Sequence, residues 1–106
     1  MSEDAIRAAQ TLQQHGRFVE AVAAYSALLV QQPNAAFLLA NLATCLRQTG
    51  ELDAALATFE QALALTPRSA SIWFNAANTY LAAKRPGDAE RVFQRALAID
   101  EKFAAA

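Results

Sequence analysis

His15 and Cys45 are the only histidine and the only cysteine of the chain, so thiol–imidazole chemistry would have to come from this one pair. Their neighbours argue against it. Cys45 lies in the run Leu42-Ala43-Thr44-Cys45-Leu46, which reads as helix interior, and a buried structural thiol is expected there. His15 directly precedes Gly16 at a helix end, where a cation suits the partial negative charge of the last carbonyls. A single cysteine excludes an intrachain disulfide and a cysteine-rich metal site. Neither a ligand cluster nor a glycine-rich phosphate loop occurs, so no catalysis, metal or cofactor is expected of these residues. What the spacing does offer is amide hydrogen bonding. Asn41 and Asn75 stand 34 residues apart. An asparagine side chain carries both a donor and an acceptor, so it can pair with an extended peptide backbone whatever its sequence.

The same interval of 34 runs through the whole chain. Ala9 and Ala21 recur as Ala43 and Ala55, then as Ala77 and Ala89. Tyr25, Phe59 and Phe93 keep it, as do Leu12, Leu46 and Tyr80, Gly16 and Gly50, and Pro33 and Pro67. A fixed period without insertion is the mark of a stacked repeat array. Three copies are expected, at about 2–35, 36–69 and 70–103, forming one domain over residues 1–106. Arrays of this kind mostly bind and seldom catalyse.

In the middle copy Leu39, Leu42, Ala43 and Leu46 share one helical face. Gly50 stops that helix by taking the left-handed conformation at no steric cost. A second helix follows, with Ala55, Leu56, Phe59, Ala62 and Leu63 on its apolar face. Pro67 ends the unit, since it cannot continue the hydrogen-bond ladder. Each copy is thus a helical hairpin. Ala43 and Ala55 are expected where the two helices cross most closely, and Phe59 in the wider space beside them. The same hierarchy is expected at Tyr25 and Phe93.

This pattern of Leu39, Leu42, Ala43, Leu46, Gly50, Ala55, Phe59, Ala62 and Pro67 resembles the tetratricopeptide repeat family. Trp73 and Tyr80 in the third copy are aromatic types the family favours at those places. The resemblance implies an all-α fold, a right-handed superhelical array of three antiparallel hairpins. It implies a concave groove lined by the first helix of each hairpin, and a protein or peptide as partner. Arg7 and Gln10 of the first copy, Asn41 and Thr44 of the second, and Asn75 and Asn78 of the third are then the expected groove residues, with Gln13 also on the first helix's groove face. Phe37 and Phe74 are expected as a repeated pair of aromatic anchors at the groove edge. Asn41 and Asn75 are similar to the asparagine ladder of the repeats that present peptides to the protein O-linked N-acetylglucosamine transferases, although Arg7 takes the first rung. Chaperone-binding members of the family hold acidic tails with lysine and arginine. Ile6, Ser71 and Asn75 occupy those places here, so such tails are not expected.

The departures between copies carry expectations too. Lys84 stands where the other turns have glycine, and Pro86 pushes Arg85 out of helical geometry, so a slightly altered turn is expected. Glu101 replaces the terminal proline, so the last helix is expected to run past Asp100. Phe103 would begin a further repeat or make an end-face contact. A fragment of a longer protein, such as the N-terminal repeat domain of a larger bacterial transferase, is one alternative function. A structural module that self-associates into a homo-oligomer through its end faces is the other.

Net charge is −1, from nine basic and ten acidic side chains spread along the chain. No basic stripe suited to nucleic acid appears. No segment approaches the roughly 20 apolar residues of a membrane span. The acidic start Met1-Ser2-Glu3-Asp4 differs from the basic, then apolar, start of a secretory leader, so a cytoplasmic location is expected. Alanine richness and a preference for arginine over lysine point to a bacterial source.

Overall fold

The computed structural model describes residues 3–100, so the expectation placed on Phe103 lies outside the described residues. Six helices follow in order: α1 (Glu3–Gln14), α2 (Phe18–Gln31), α3 (Ala36–Gln48), α4 (Leu52–Leu65), α5 (Ala70–Ala82) and α6 (Pro86–Ile99). No strand occurs among the described residues. α1–α2, α3–α4 and α5–α6 form three hairpins. The hairpins stack through α2 on α3 and α4 on α5.

The three hairpin turns are built alike. Gly16, Gly50 and Lys84 all have positive φ, at 76°, 88° and 61°. In each turn the next residue's N–H reaches back to the first helix: Arg17 to Leu12 O, Glu51 to Leu46 O and Arg85 to Tyr80 O, all at 2.9 Å. These bonds satisfy carbonyls that the helix end would leave bare. The altered turn expected at Lys84 therefore keeps its hydrogen bond and differs chiefly in one dihedral. Arg85 has φ −120°, against −88° at Arg17 and −84° at Glu51. The proline that follows accounts for this, and Pro86 itself opens α6, where a missing N–H costs nothing.

Ala9, Ala21, Ala43, Ala55, Ala77 and Ala89 are all completely buried. Around the central pair, Leu39, Ala43, Phe59, Ala62 and Leu63 join Ile72 and Ala76 of the next hairpin in one core cluster. A second cluster joins Ala9, Ala21, Tyr25 and Leu28 to Leu38 and Cys45 of α3. α3 is thus buried on two sides, and its backward-facing residues Leu38 and Cys45 are as deeply covered as the alanines. Periodicity assigned only the forward stripe of that helix. Leu42, placed on that stripe, is half-buried.

Two further expectations need correction. Tyr25 and Phe59 are 0% and 1% exposed, but Phe93 is only half-buried. No hairpin follows it among the described residues, so its outer side lacks the cover that α5 gives Phe59. α6 does not run past Asp100 either. It ends at Ile99, and Asp100 is extended at φ −139°, ψ 104°, its N–H closing on Ala96 O at 3.0 Å. The second helix of each other hairpin ends in the same way, Gln32 on Leu28 O and Thr66 on Ala62 O.

Two measurements test this account by thermal or urea unfolding. Lys84→Gly should stabilise by about 1 kcal/mol, and Gly50→Ala should destabilise by a similar amount through φ alone, since a Cβ at Gly50 would meet nothing within 4 Å. Phe59→Ala should cost about 3–5 kcal/mol, while the less buried Phe93→Ala should cost about 1–2 kcal/mol. Equal costs at the two phenylalanines would contradict the asymmetry described here.

Candidate functional site

α3 and α5, the first helices of neighbouring hairpins, touch each other directly. A depression of about 410 Å³ lies between them. α3 contributes Phe37, Ala40, Asn41 and Thr44, and α5 contributes Ser71, Ile72 and Asn75, with Thr66 and Ser69 from the link. No residue of this lining carries a charge. Asn41 and Asn75 are both half-buried, and neither amide has a side-chain hydrogen-bond partner among the described residues. The Thr44 hydroxyl donates to Ala40 O at 3.0 Å, which leaves its oxygen to accept. The Ser69 and Ser71 hydroxyls lie 3.4 Å apart.

The expected groove residues do not all meet here. Asn41, Asn75, Thr44 and Phe37 do. Asn78 sits half-buried one turn along α5 and is not part of this lining. Arg7 and Gln10 are exposed on α1, also apart from it. Gln13 is turned inward, its Oε1 accepting the Tyr25 hydroxyl at 2.7 Å. Phe74 is a correction. It lies 37 residues from Phe37, not 34, so the two are not repeat equivalents. Phe37 corresponds to Ser71, and Phe74 to Ala40. The Phe74 ring meets Phe93 edge to face at 5.3 Å between centroids, on the outward side of the last hairpin. Ser69 and Thr66, by contrast, went unremarked in the sequence. Both belong to the link between hairpins, whose side-chain directions no helical period predicts.

Three stacked antiparallel hairpins with a neutral, amide-bearing depression between their first helices define a helical-repeat interaction module. The family model for the tetratricopeptide repeat matches residues 6–67 and, one repeat on, residues 41–102. The chain belongs to the tetratricopeptide repeat family. Among solved structures, it is similar to MamA of MSR-1, with a TM-score of 0.86 at 23% identity over 92% of this chain and 56% of that one. It is similar to MamA of AMB-1, with a TM-score of 0.87 at 24% identity over 92% and 58%. It is also similar to MamA from Desulfovibrio magneticus RS-1, with a TM-score of 0.88 at 13% identity over 92% and 55%. The chain spans a little over half the length of these structures, and at such identities the likeness is one of fold. No curated protein matches the sequence. No described helix is long and apolar enough to cross a membrane.

The two side chains that could have done thiol–imidazole chemistry are kept apart by burial. His15 is exposed, whereas Cys45 is wholly buried in the second core cluster with Tyr25. Loss of solvation pushes the Cys45 thiol up to about 11 from 9.0. Burial first, and the neighbouring Cys45 second, push the Tyr25 hydroxyl up to about 12 from 10.0. A buried thiol held in its protonated form is a poor nucleophile. Between the unfolded and folded values the unfolded chain releases protons that the folded chain keeps. Stability is therefore fully present below pH 9 and declines as pH rises from about 9 toward 12. Melting temperatures measured from pH 8 to 11 should fall, and in Cys45→Ala the decline should begin about one pH unit later. An unchanged onset in that variant would show that Cys45 titrates freely in the folded protein.

Proposed function

We propose that the chain is a non-catalytic protein-interaction module that holds an extended, uncharged peptide segment in the depression between α3 and α5. The observation that carries this reading is the pair of amides, Asn41 and Asn75, half-buried in a neutral lining and without side-chain partners among the described residues. Two such amides one repeat apart match the alternating N–H and C=O groups of a peptide backbone. Phe37, 48% exposed at the rim, adds an apolar contact for one side chain of the ligand. A lining without lysine or arginine favours backbone recognition over capture of a carboxylate. The even spread of charge in the chain supports a protein partner and not a nucleic acid. Arg7, Gln10 and Asn78 would extend the contact along the groove on either side. Affinity is modest on this reading, because ordering a flexible peptide opposes binding.

The reading is tested by selecting phage-displayed dodecapeptides on the purified chain, beside an Asn41→Ala/Asn75→Ala variant of matched helicity. Selected peptides should lose about 1–2 kcal/mol of binding with each alanine, and Phe37→Ala should weaken them further. Peptides that bind the double variant as tightly as the parent chain would overturn it.

A further inference from the structure

The two links between hairpins are equivalent in sequence position but not in packing. At the later one, Trp73 of α5 closes over the link. Its indole N–H donates to Pro67 O at 2.8 Å. The Arg95 guanidinium of α6 lies over the ring, 5.6 Å from its centroid. One repeat earlier the three positions are Leu39, Pro33 and Gln61. Leucine has no donor to offer, and no group among the described residues donates to Pro33 O.

The space that Trp73 fills at one link is open at the other. A cleft of about 650 Å³ lies over Pro33 and Asn34, between α2 and α4. Leu29, Leu39 and Leu42 line it on one side, Gln61 and Leu65 of α4 on the other, and no residue of the lining is charged. The cleft beside Trp73 is smaller, about 360 Å³, and does not reach Pro67. It extends toward Tyr80 instead, where Ala76 stands in place of Leu42. The pair Trp73 and Ala76 thus fills the link end and leaves the turn end open, and Leu39 and Leu42 do the reverse. Burial agrees. Leu63, in the cluster that Trp73 packs against, is 8% exposed, whereas its equivalent Leu29 is half-buried.

We propose that the cleft over Pro33 binds the tryptophan side chain of a partner polypeptide, its indole seated as that of Trp73 is one repeat on. The indole N–H donates to Pro33 O. The ring lies against Leu29 and Leu39, with the Gln61 amide where Arg95 stands over Trp73. An apolar lining with one carbonyl acceptor suits an aromatic ring with one donor. A phenylalanine would bury that carbonyl without a partner, and a charged side chain would lose its hydration against the leucines. The cleft is open outward, which leaves room for the chain that carries the ring. It shares no residue with the depression between α3 and α5, so either site can fail without the other.

The probe is a capped glycine peptide with one central tryptophan, titrated into the isotope-labelled whole chain and followed by NMR. Saturable shifts should appear at Leu29, Asn34, Gln61 and Leu65. The same peptide methylated on the indole nitrogen should bind about threefold or more weakly, having lost its donor. Leu39→Trp/Leu42→Ala copies the Trp73 and Ala76 pair, so the cleft then holds its own ring. That variant should keep the circular dichroism spectrum and lose the peptide. Gln61→Arg, at an exposed position, should tighten binding about twofold or more by setting a guanidinium over the ring. Shifts centred elsewhere, or none that saturate, would overturn the proposal. So would undiminished binding to Leu39→Trp/Leu42→Ala, or unchanged or weaker binding to Gln61→Arg. Free indole bound more tightly than the peptide would also overturn it, because the occupant would then be a small molecule.

Discussion

The complete burial of small residues between paired helices governs everything else in this molecule. Each hairpin brings one alanine from either helix to complete burial, Ala9 with Ala21, Ala43 with Ala55, Ala77 with Ala89. A larger side chain there would part the axes and open voids around Tyr25 or Phe59, and interiors tolerate voids poorly. Fixing that approach also fixes the position of the aromatic residue beside it. It determines as well how far the first helix projects toward the concave side. The depression between α3 and α5 is therefore a consequence of core packing, with Asn41 adjoining Leu42 and Ala43 along the chain and pointing away from the core that holds them.

Stacking is the second consequence. Each position has a neighbour on one side only if a further hairpin exists there. α3 has both neighbours, so Leu38 and Cys45 are buried backward and Leu39 and Ala43 forward. No hairpin precedes α1 among the described residues, and its residues at those places, Asp4 and Thr11, are polar and exposed. The last hairpin carries apolar residues at the forward places, where Phe74 and Phe93 meet edge to face. Surface ion pairs such as Arg17–Glu20 and Arg85–Asp88 trim the start of α2 and α6 but add little stability at such exposure.

Where the sequence and structure differ, the reason is nearly always an end or a link. Phe93 has the same type and phase as Phe59, and sequence equivalence predicts equal burial. It fails because burial depends on the next layer. Phe74 looked like a partner of Phe37, yet the two are three residues out of phase, which turns one ring into the groove and the other onto Phe93. Gln13 carries a polar type at a groove-like position, but the Tyr25 hydroxyl is near enough to draw it inward. Lys84 breaks the glycine rule of the turn without breaking the turn, because the Arg85 hydrogen bond to Tyr80 offsets part of the left-handed strain.

The sequence by itself determined the period, the six helices, the turn positions and the small-beside-large core, since these follow from local conformational preference and the spacing of apolar residues along a helix. It also marked Asn41 and Asn75 as equivalent. Only the tertiary structure decided that Thr66 and Ser69 join them, that α3 is buried on two sides, and that Phe93 stays half-buried beside Phe74. Those outcomes depend on which hairpin stands next to which. One-dimensional periodicity describes the face a helix presents, and the neighbour that covers it belongs to three dimensions.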